Sequence, residues 1–511
     1  MDGDRAGTVG EALVLAAARH PDAVALVDGA DPARRWTFGE LEAESRRAAR
    51  GLLARFAPGE HVAVWAPNRP EWIVLQFGAA LAGLVLVTVN PALRAAEVHD
   101  VLERSDAVGV VVEGSYRGTD LVATVESGRA RLPALREVWS FARWDELLAG
   151  DGGDLPVVDP GSTCQIQYTS GTTGAPKGAM ITHRGMARNG ALYATTIGAG
   201  RDDVWVNAMP LFHTAGCGLA TLGAVQTGGA QVLVPGFDAD LVLDLLQGQR
   251  GTLVLQVPTM LVRLAEAQAA RPRDLSTWRL TTLGGAPVAP ELVRRAQDEL
   301  GVAVAIGFGQ TESSPYITHT LPDDPHPAWE RTVGPPMDGI EVRVTVPGTA
   351  EEAAPGEVGE ICTRSACVMR GYYRDPDATA AAIDAGGWLH TGDLGRFDEH
   401  GYLQVAGRLK DMIIRGGENV YPREVEDVLL EHPAVDEVAV VGAPDPEWGE
   451  TVAAFVRSER GVTGAELEAF CRARLASFKV PRVWRVVDGF PQTASGKIQK
   501  FQLAARLAEG R

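Results

Sequence analysis

The chain is poor in cysteine. Its 511 residues hold five, Cys164, Cys217, Cys362, Cys367 and Cys471, and no two form a CxxC pair. A small scaffold stapled by disulfides is excluded, and no clustered Cys/His spacing reads as a zinc site. Long apolar runs are also missing. The stretch Phe77–Val89 is interrupted by Gly78 and Gly83 and is too short to cross a bilayer, so it reads as buried helix followed by strand, and no stable membrane insertion is expected. Met1–Gly10 has no basic-then-apolar layout, so no signal peptide is expected either. Positive charge is in deficit: the net charge is −18, a surface that repels nucleic acid and anionic membranes. No nucleic-acid partner is expected. Free thiols in a reducing compartment point to a cytoplasmic protein.

What is present is ordinary for a globular chain, with 45% apolar and 22% charged residues. At this length more than one domain is expected. Apolar runs of strand length, His61–Trp65, Val85–Val89, Val108–Val112 and Gln231–Pro235, alternate with helical stretches. Glu40–Phe56 is one such stretch, with Leu41, Ala48, Leu52 and Leu53 on one side. The alternation predicts an α/β fold with largely parallel sheets and flanking helices. Near Gly407 the pattern changes. Beyond it the spacing predicts a helix at Pro422–Leu430, strands at Val435–Val441 and Thr451–Val456, a helix at Gly464–Leu475 and a last strand at Val483–Val487. That is a small α+β unit. The reading is therefore a large domain over 1–409 and a small one over 410–511.

One local feature is chemically specific. After the apolar approach Cys164–Tyr168 the chain reads Thr169-Ser170-Gly171-Thr172-Thr173-Gly174-Ala175-Pro176-Lys177-Gly178. The glycines let backbone N–H groups turn toward an anion, the hydroxyls add short donors, and Lys177 adds a charge. Together they suit a polyphosphate. The Gly-Lys pair of a Walker loop does not occur at the required offset, so this is a different phosphate loop.

The segment resembles the phosphate loop of the adenylate-forming superfamily, and further segments in family order extend the resemblance over nearly the whole chain. Met209–Gly216 resembles the motif bordering the carboxylate, which implies an acyl pocket near Phe212, His213 and Gly216. Leu283-Gly284-Gly285-Ala286-Pro287 resembles the segment beside adenine and the acyl tunnel. Gly307-Phe308-Gly309-Gln310-Thr311-Glu312 resembles a Tyr-Gly-x-Thr-Glu motif in which Phe308 keeps the stacking ring and loses the hydroxyl. The resemblance implies that Gly285, Ala286 and Phe308 face adenine, that Thr311 meets the α-phosphate, and that Glu312 holds Mg2+, a hard cation suited to carboxylate oxygen. It places Asp393 of Trp388–Asp393 and Arg408 at the ribose, Lys410 at an interdomain hinge, Gly416 and Gly417 at a coenzyme A tunnel, and Lys497 of Pro491–Ile498 on the reacting oxygens. The small glycines Gly216, Gly218, Gly284, Gly307 and Gly309 suggest room for a chain, an aryl group or a ring system.

The activity implied by the resemblance is that of an acid–thiol ligase. A carboxylic acid and ATP give acyl-AMP and pyrophosphate, and coenzyme A then takes the acyl group. No carrier-protein serine motif occurs, and Phe212-His213-Thr214 lacks the Asp that amino-acid-activating relatives carry there. Two other outcomes stay open at this level: an enzyme that stops at the adenylate and hands it to a carrier or partner enzyme, and a nucleotide-binding protein without catalysis. A homodimer is likewise left open.

Overall fold

The computed structural model describes residues 6–169, 176–321, 324, 332–415, 418–445, 448–492 and 498–508. Two large sheets organise the first part of the chain. One has eight strands in the order Tyr316–His319, Ala303–Gly309, Leu280–Gly284, Leu253–Gln256, Val204–Asn207, Ala230–Leu233, Val24–Asp28 and Arg35–Thr37. Its interior pairs are parallel and both edge pairs antiparallel. The other has six strands, Lys177–Thr182, Thr163–Thr169, Val85–Val89, His61–Trp65, Gly109–Val112 and Glu137–Ser140. Only the first pair of these is antiparallel. Parallel neighbours need crossovers, and the helices supply them: Ala239–Gly248, Pro258–Ala270 and Pro290–Leu300 connect successive strands of the larger sheet.

The predicted strands His61–Trp65 and Val85–Val89 are found at those bounds, and the stretch Phe77–Val89 is the end of helix Pro70–Leu81 followed by a strand. The helix expected from Glu40 starts earlier, at Phe38, and ends at Leu53. The reason is a capping box. Thr37 Oγ1 accepts from Glu40 N at 3.2 Å, and Glu40 Oε2 accepts from Thr37 N at 2.8 Å. This helix buries Phe38, Leu41, Ala48 and Leu52 against helix Pro70–Leu81 in the largest apolar cluster. Each leucine so buried stabilises the fold by about 1.5–3 kcal/mol.

An all-antiparallel sheet has no counterpart in the sequence pattern: Glu341–Thr345, Gly359–Arg364, Leu389–Phe397 and Leu403–Arg408. Its strands interleave charged and apolar residues, so no continuous apolar run marks them. The C-terminal unit is built on a five-stranded sheet of Ile413–Arg415, Glu418–Val420, Glu437–Asp445, Gly449–Arg457 and Val483–Val486. Helices Pro422–Leu430 and Gly464–Arg472 cover one face over Ile413, Val425, Val440, Val452 and Leu467, and Leu503 packs on the other with Ala453 and Phe455. The first long strand runs past the predicted end at Val441 because pairing with its neighbour continues to Asp445 opposite Gly449. The whole is a large domain of parallel-rich sheets with a smaller C-terminal domain. Among the described residues no helix is long and apolar enough to cross a membrane.

Candidate functional site

The candidate phosphate loop joins two antiparallel strands. Lys177 lies directly across from Thr169, and Thr169 Oγ1 donates to the Lys177 carbonyl at 3.4 Å. The ladder thus holds both ends of the loop together. Ser170, Gly171, Thr172, Thr173 and Gly174 lie outside the described residues, as do Gly416, Gly417 and Lys497.

Beyond strand Lys177–Thr182 the chain returns as an extra edge at 370–373. Arg370 N donates to the Met180 carbonyl, Met180 N to that of Gly371, and Tyr373 N to that of Gly178. This docking delivers Tyr372, a residue that no sequence motif singles out. The Lys177 ammonium sits 5.1 Å from the centre of its ring, and its hydroxyl donates to Glu312 Oε1 at 2.8 Å. One aromatic side chain therefore touches both the loop lysine and the candidate metal carboxylate. Burial, and then the adjoining Glu312 carboxylate, push the Tyr372 phenol well above its ordinary range, so it stays a donor. The only local cue is an aromatic pair after a glycine, Gly371-Tyr372-Tyr373, which is common in turns.

Glu312 sits on the short turn Thr311–Ser313 that follows strand Ala303–Gly309. It is buried, and its backbone carbonyl accepts from Met369 N at 2.7 Å. Ser313 Oγ braces the same turn by donating to the Pro315 carbonyl at 2.5 Å. A buried carboxylate with one oxygen fixed by a phenol leaves the second oxygen to an oxygen-seeking cation. That donor chemistry fits magnesium. Phe308, half-buried on the strand before it, and Gly285, where φ is +76° and an added Cβ would meet nothing closer than 3.8 Å, leave an open flank. Ala286 follows at the same edge.

Asp393 and Arg408 are cross-strand partners, with Arg408 Nε donating to Asp393 Oδ1 at 3.1 Å. Asp393 is buried while Arg408 is largely exposed. The turn before Asp393 is held by Glu360, whose Oε1 accepts from Gly392 N at 3.1 Å. Lys410 lies just beyond, where partial desolvation and the Arg408 guanidinium lower its ammonium pKa.

The Met209–Gly216 segment is pinned from several sides. Asn68 donates to the Met209 carbonyl and accepts from Leu211 N, Thr88 donates to the Phe212 carbonyl, and Gln167 accepts from Thr214 N. Phe212 and His213 contact each other with ring centres 4.3 Å apart. The chain then enters a π-helical turn, Ala215–Ala220, of a kind frequent at functional sites.

At three of the glycines expected beside an acyl group, the direction a side chain would take is already filled. A Cβ at Gly284 would lie 2.4 Å from the Tyr316 hydroxyl, and one at Gly307 would lie 2.4 Å from the Tyr316 ring. At Gly309 it would lie 1.9 Å from the Pro315 carbonyl oxygen. The space next to them belongs to the chain itself. Tyr316 is buried, its backbone is held at both N–H and carbonyl by Asn189, and its ring makes an edge contact with Tyr193. Gly216 is similar, since its Cβ would meet the Pro210 carbonyl at 2.4 Å.

Against known proteins, the AMP-binding enzyme profile matches residues 13–373, and the AMP-binding enzyme C-terminal domain profile matches residues 424–497. The chain is 39% identical to a feruloyl-CoA synthase of Amycolatopsis, over 92% of this chain and 94% of that one. It is 33% identical to a mitochondrial medium-chain acyl-CoA ligase of Macaca fascicularis, over 98% of this chain and 87% of that one. The crystal structure of an anthranilate CoA ligase in complex with anthranoyl-AMP superposes with a TM-score of 0.90 at 26% identity, covering 99% and 98% of the two chains.

Proposed function

The chain belongs to the AMP-binding enzyme family, and on that premise we propose how this AMP-forming acyl-CoA ligase divides its chemistry among its residues and which acids it accepts. In the first step a carboxylate oxygen attacks the α-phosphorus of ATP, the bond to the β-phosphate oxygen breaks, and acyl-AMP and pyrophosphate form. In the second step the coenzyme A thiol attacks the acyl carbon, AMP leaves, and the thiol proton passes to solvent. The observation that carries the assignment is the contact chain Lys177–Tyr372–Glu312. It gathers a cation for the departing phosphates and a carboxylate for the metal at one place.

Thr169 to Lys177 grip the β- and γ-phosphates, Thr311 meets the α-phosphate, and Glu312 holds Mg2+. Magnesium held there would neutralise charge on the phosphate oxygens. Phe308, Gly285 and Ala286 receive adenine, and Asp393, set by Arg408, receives the ribose hydroxyls. Lys497 approaches the reacting oxygens, where a cation stabilises charge that grows in the transition state. We place the domain boundary at 409/410, with Lys410 as hinge. Rotation there would exchange Lys497 for Gly416 and Gly417, a rigid-body motion of a familiar kind. We assign the protein to the cytoplasm, which suits its buried, unpaired cysteines among the described residues.

Tyr372 acts as a positioning residue in this scheme. Tyr372→Phe keeps the ring under Lys177 and removes the hydrogen bond to Glu312. The Mg2+ concentration for half-maximal pyrophosphate release should rise several-fold, Mn2+ binding to the enzyme–ATP complex should weaken in parallel, and kcat at saturating Mg2+ should change little. An unchanged metal requirement would remove Tyr372 from this role.

The acid is a compact hydrophobic monocarboxylate, an arylpropenoate or a medium-length chain. Tyr316 supports this, because it fills the space beside Gly284 and Gly307 that a longer acyl chain could otherwise use. The lining is apolar: Met209, Ala215, Val257, Met260 and Phe308 pack into the cluster that holds Tyr316. The relatives' names, feruloyl and medium-chain, belong to the same size class. The test is pyrophosphate release with MgATP over a panel of acids, with and without coenzyme A, and products identified by mass spectrometry. Turnover to acyl-CoA with ferulate-sized and medium-chain acids, and poor turnover of long-chain acids, is the expected result. Preference for long chains would overturn the size assignment, and acyl-AMP alone in the presence of coenzyme A would overturn the second step.

A further inference from the structure

On the antiparallel sheet that also carries Asp393 and Arg408, one face holds an unusual set of donors. Glu360 and Cys362 are two apart on strand Gly359–Arg364, so both side chains leave the same face. Cys362 pairs across the ladder with His390 on the next strand. The ligand atoms of all three lie within 4.8 Å of one another. His390 Nδ1 is 2.9 Å from Glu360 Oε2 and 3.5 Å from Cys362 Sγ.

These spacings suit a small tetrahedral cation. Bonds of about 2.0 Å to nitrogen and oxygen and about 2.3 Å to sulfur put neighbouring ligand atoms roughly 3.3–3.6 Å apart. The nitrogen–sulfur distance already falls in that range, and the nitrogen–oxygen distance reaches it by opening a few tenths of an ångström. The other ring nitrogen adds an independent feature. His390 Nε2 faces Asp384 Oδ2 at 3.6 Å, and Asp384 is itself tied to Arg343 at 3.2 Å. A metal-bound imidazole commonly gives its second N–H to a carboxylate in this way. Glu360 and Cys362 are buried, while the His390 side chain is 21% exposed and offers the entrance.

We propose that Glu360, Cys362 and His390 bind one zinc-like divalent cation, with Asp384 orienting the imidazole and water completing the fourth position. A thiolate–imidazole–carboxylate set favours zinc or cobalt over magnesium, so the site is distinct in chemistry from Glu312. On binding, the Cys362 thiol loses its proton to solvent, and His390 ligates as neutral imidazole through Nδ1 with its proton on Nε2. Burial raises the Cys362 thiol pKa, and the charges around it are Glu360, Asp384, Arg343 and, when protonated, His390. The site also adjoins the ribose-side turn, since the second oxygen of Glu360 holds Gly392 N.

The experiment uses the full chain stripped of metal with a chelator. Co2+ is titrated while the thiolate-to-cobalt charge-transfer absorption is followed, and Zn2+ is measured by competition with a chromophoric chelator, both in excess Mg2+ and without ATP. One equivalent should bind. Cys362→Ser should abolish the charge-transfer band, and Glu360→Gln, a shape-preserving change, should weaken binding. Asp384→Asn should weaken it about 10–100-fold, and Cys471→Ser, in the C-terminal unit, should leave it unchanged. Melting curves would establish that each variant is folded. Absence of a stoichiometric band in the native chain, or the same band in Cys362→Ser, would overturn the proposal and leave the cluster a hydrogen-bonded brace. The readout is independent of ligase activity, so failure here would not bear on the proposed reaction.

Discussion

Glu312→Gln lowers the rate of acyl-adenylate formation by about 10²–10³-fold, the scale expected when one preorganised electrostatic group is removed from a transition state. The substitution keeps volume and keeps an oxygen that can accept from the Tyr372 hydroxyl, which stands 2.8 Å from Glu312 Oε1. What it removes is the charge. Glu312 is buried at 8% exposure, and its turn is fixed by Met369 N and by Ser313, so the backbone that carries the carboxylate is held in place. Thioester formation from supplied acyl-AMP, in which no pyrophosphate leaves, should fall far less. Pyrophosphate release in single-turnover experiments measures the first step, and acyl-CoA formation from synthetic acyl-AMP measures the second. A loss below about tenfold in the first step would show that Glu312 does not hold the metal.

Lys497→Ala should have an effect of similar or greater size, confined to the same half-reaction. Its role rests on the resemblance of Pro491–Ile498 to the family's C-terminal motif, since Lys497 lies outside the described residues. The structure does bear on the nearest substitute. Lys500 Nζ is 2.6 Å from Glu426 Oε1, and that carboxylate also accepts from Val440 N at 2.7 Å. Lys500 is thus engaged in a partly buried ion pair within the C-terminal unit, which it would have to break to act elsewhere. It cannot rescue the variant. Adenylate formation should drop by at least about 10²-fold, while thioester formation from acyl-AMP stays near the native rate. Equal loss in both steps would place Lys497 in a structural role.

Much of the fold is legible in the sequence because its signals are local. The strands His61–Trp65 and Val85–Val89 are continuous apolar runs buried between helical layers, and such runs mark parallel sheets directly. Helix Pro422–Leu430 announces itself by an N-terminal proline and apolar residues at helical spacing. The antiparallel sheet from Glu341 to Arg408 is not legible. Its apolar residues are interspersed with Arg343, Glu360 and Arg364, whose partners Asp384, His390 and Glu341 lie elsewhere in the chain and are invisible along it.

The sequence by itself determined which chemistry this protein is equipped for. The candidate phosphate loop, the Thr311-Glu312 turn, Asp393 and Lys497 are short segments or single residues whose types and order carry the resemblance, and their order does not depend on how the chain packs. Tertiary structure alone decided what stands next to them. It put Tyr372 between Lys177 and Glu312, filled the space beside Gly284 and Gly307 with Tyr316, and set Cys362 against His390, although no spacing in the sequence suggested a metal site. The physical reason is the same each time. A side-chain contact across strands is fixed by register and crossover, and neither leaves a period in the chain that either partner could reveal alone.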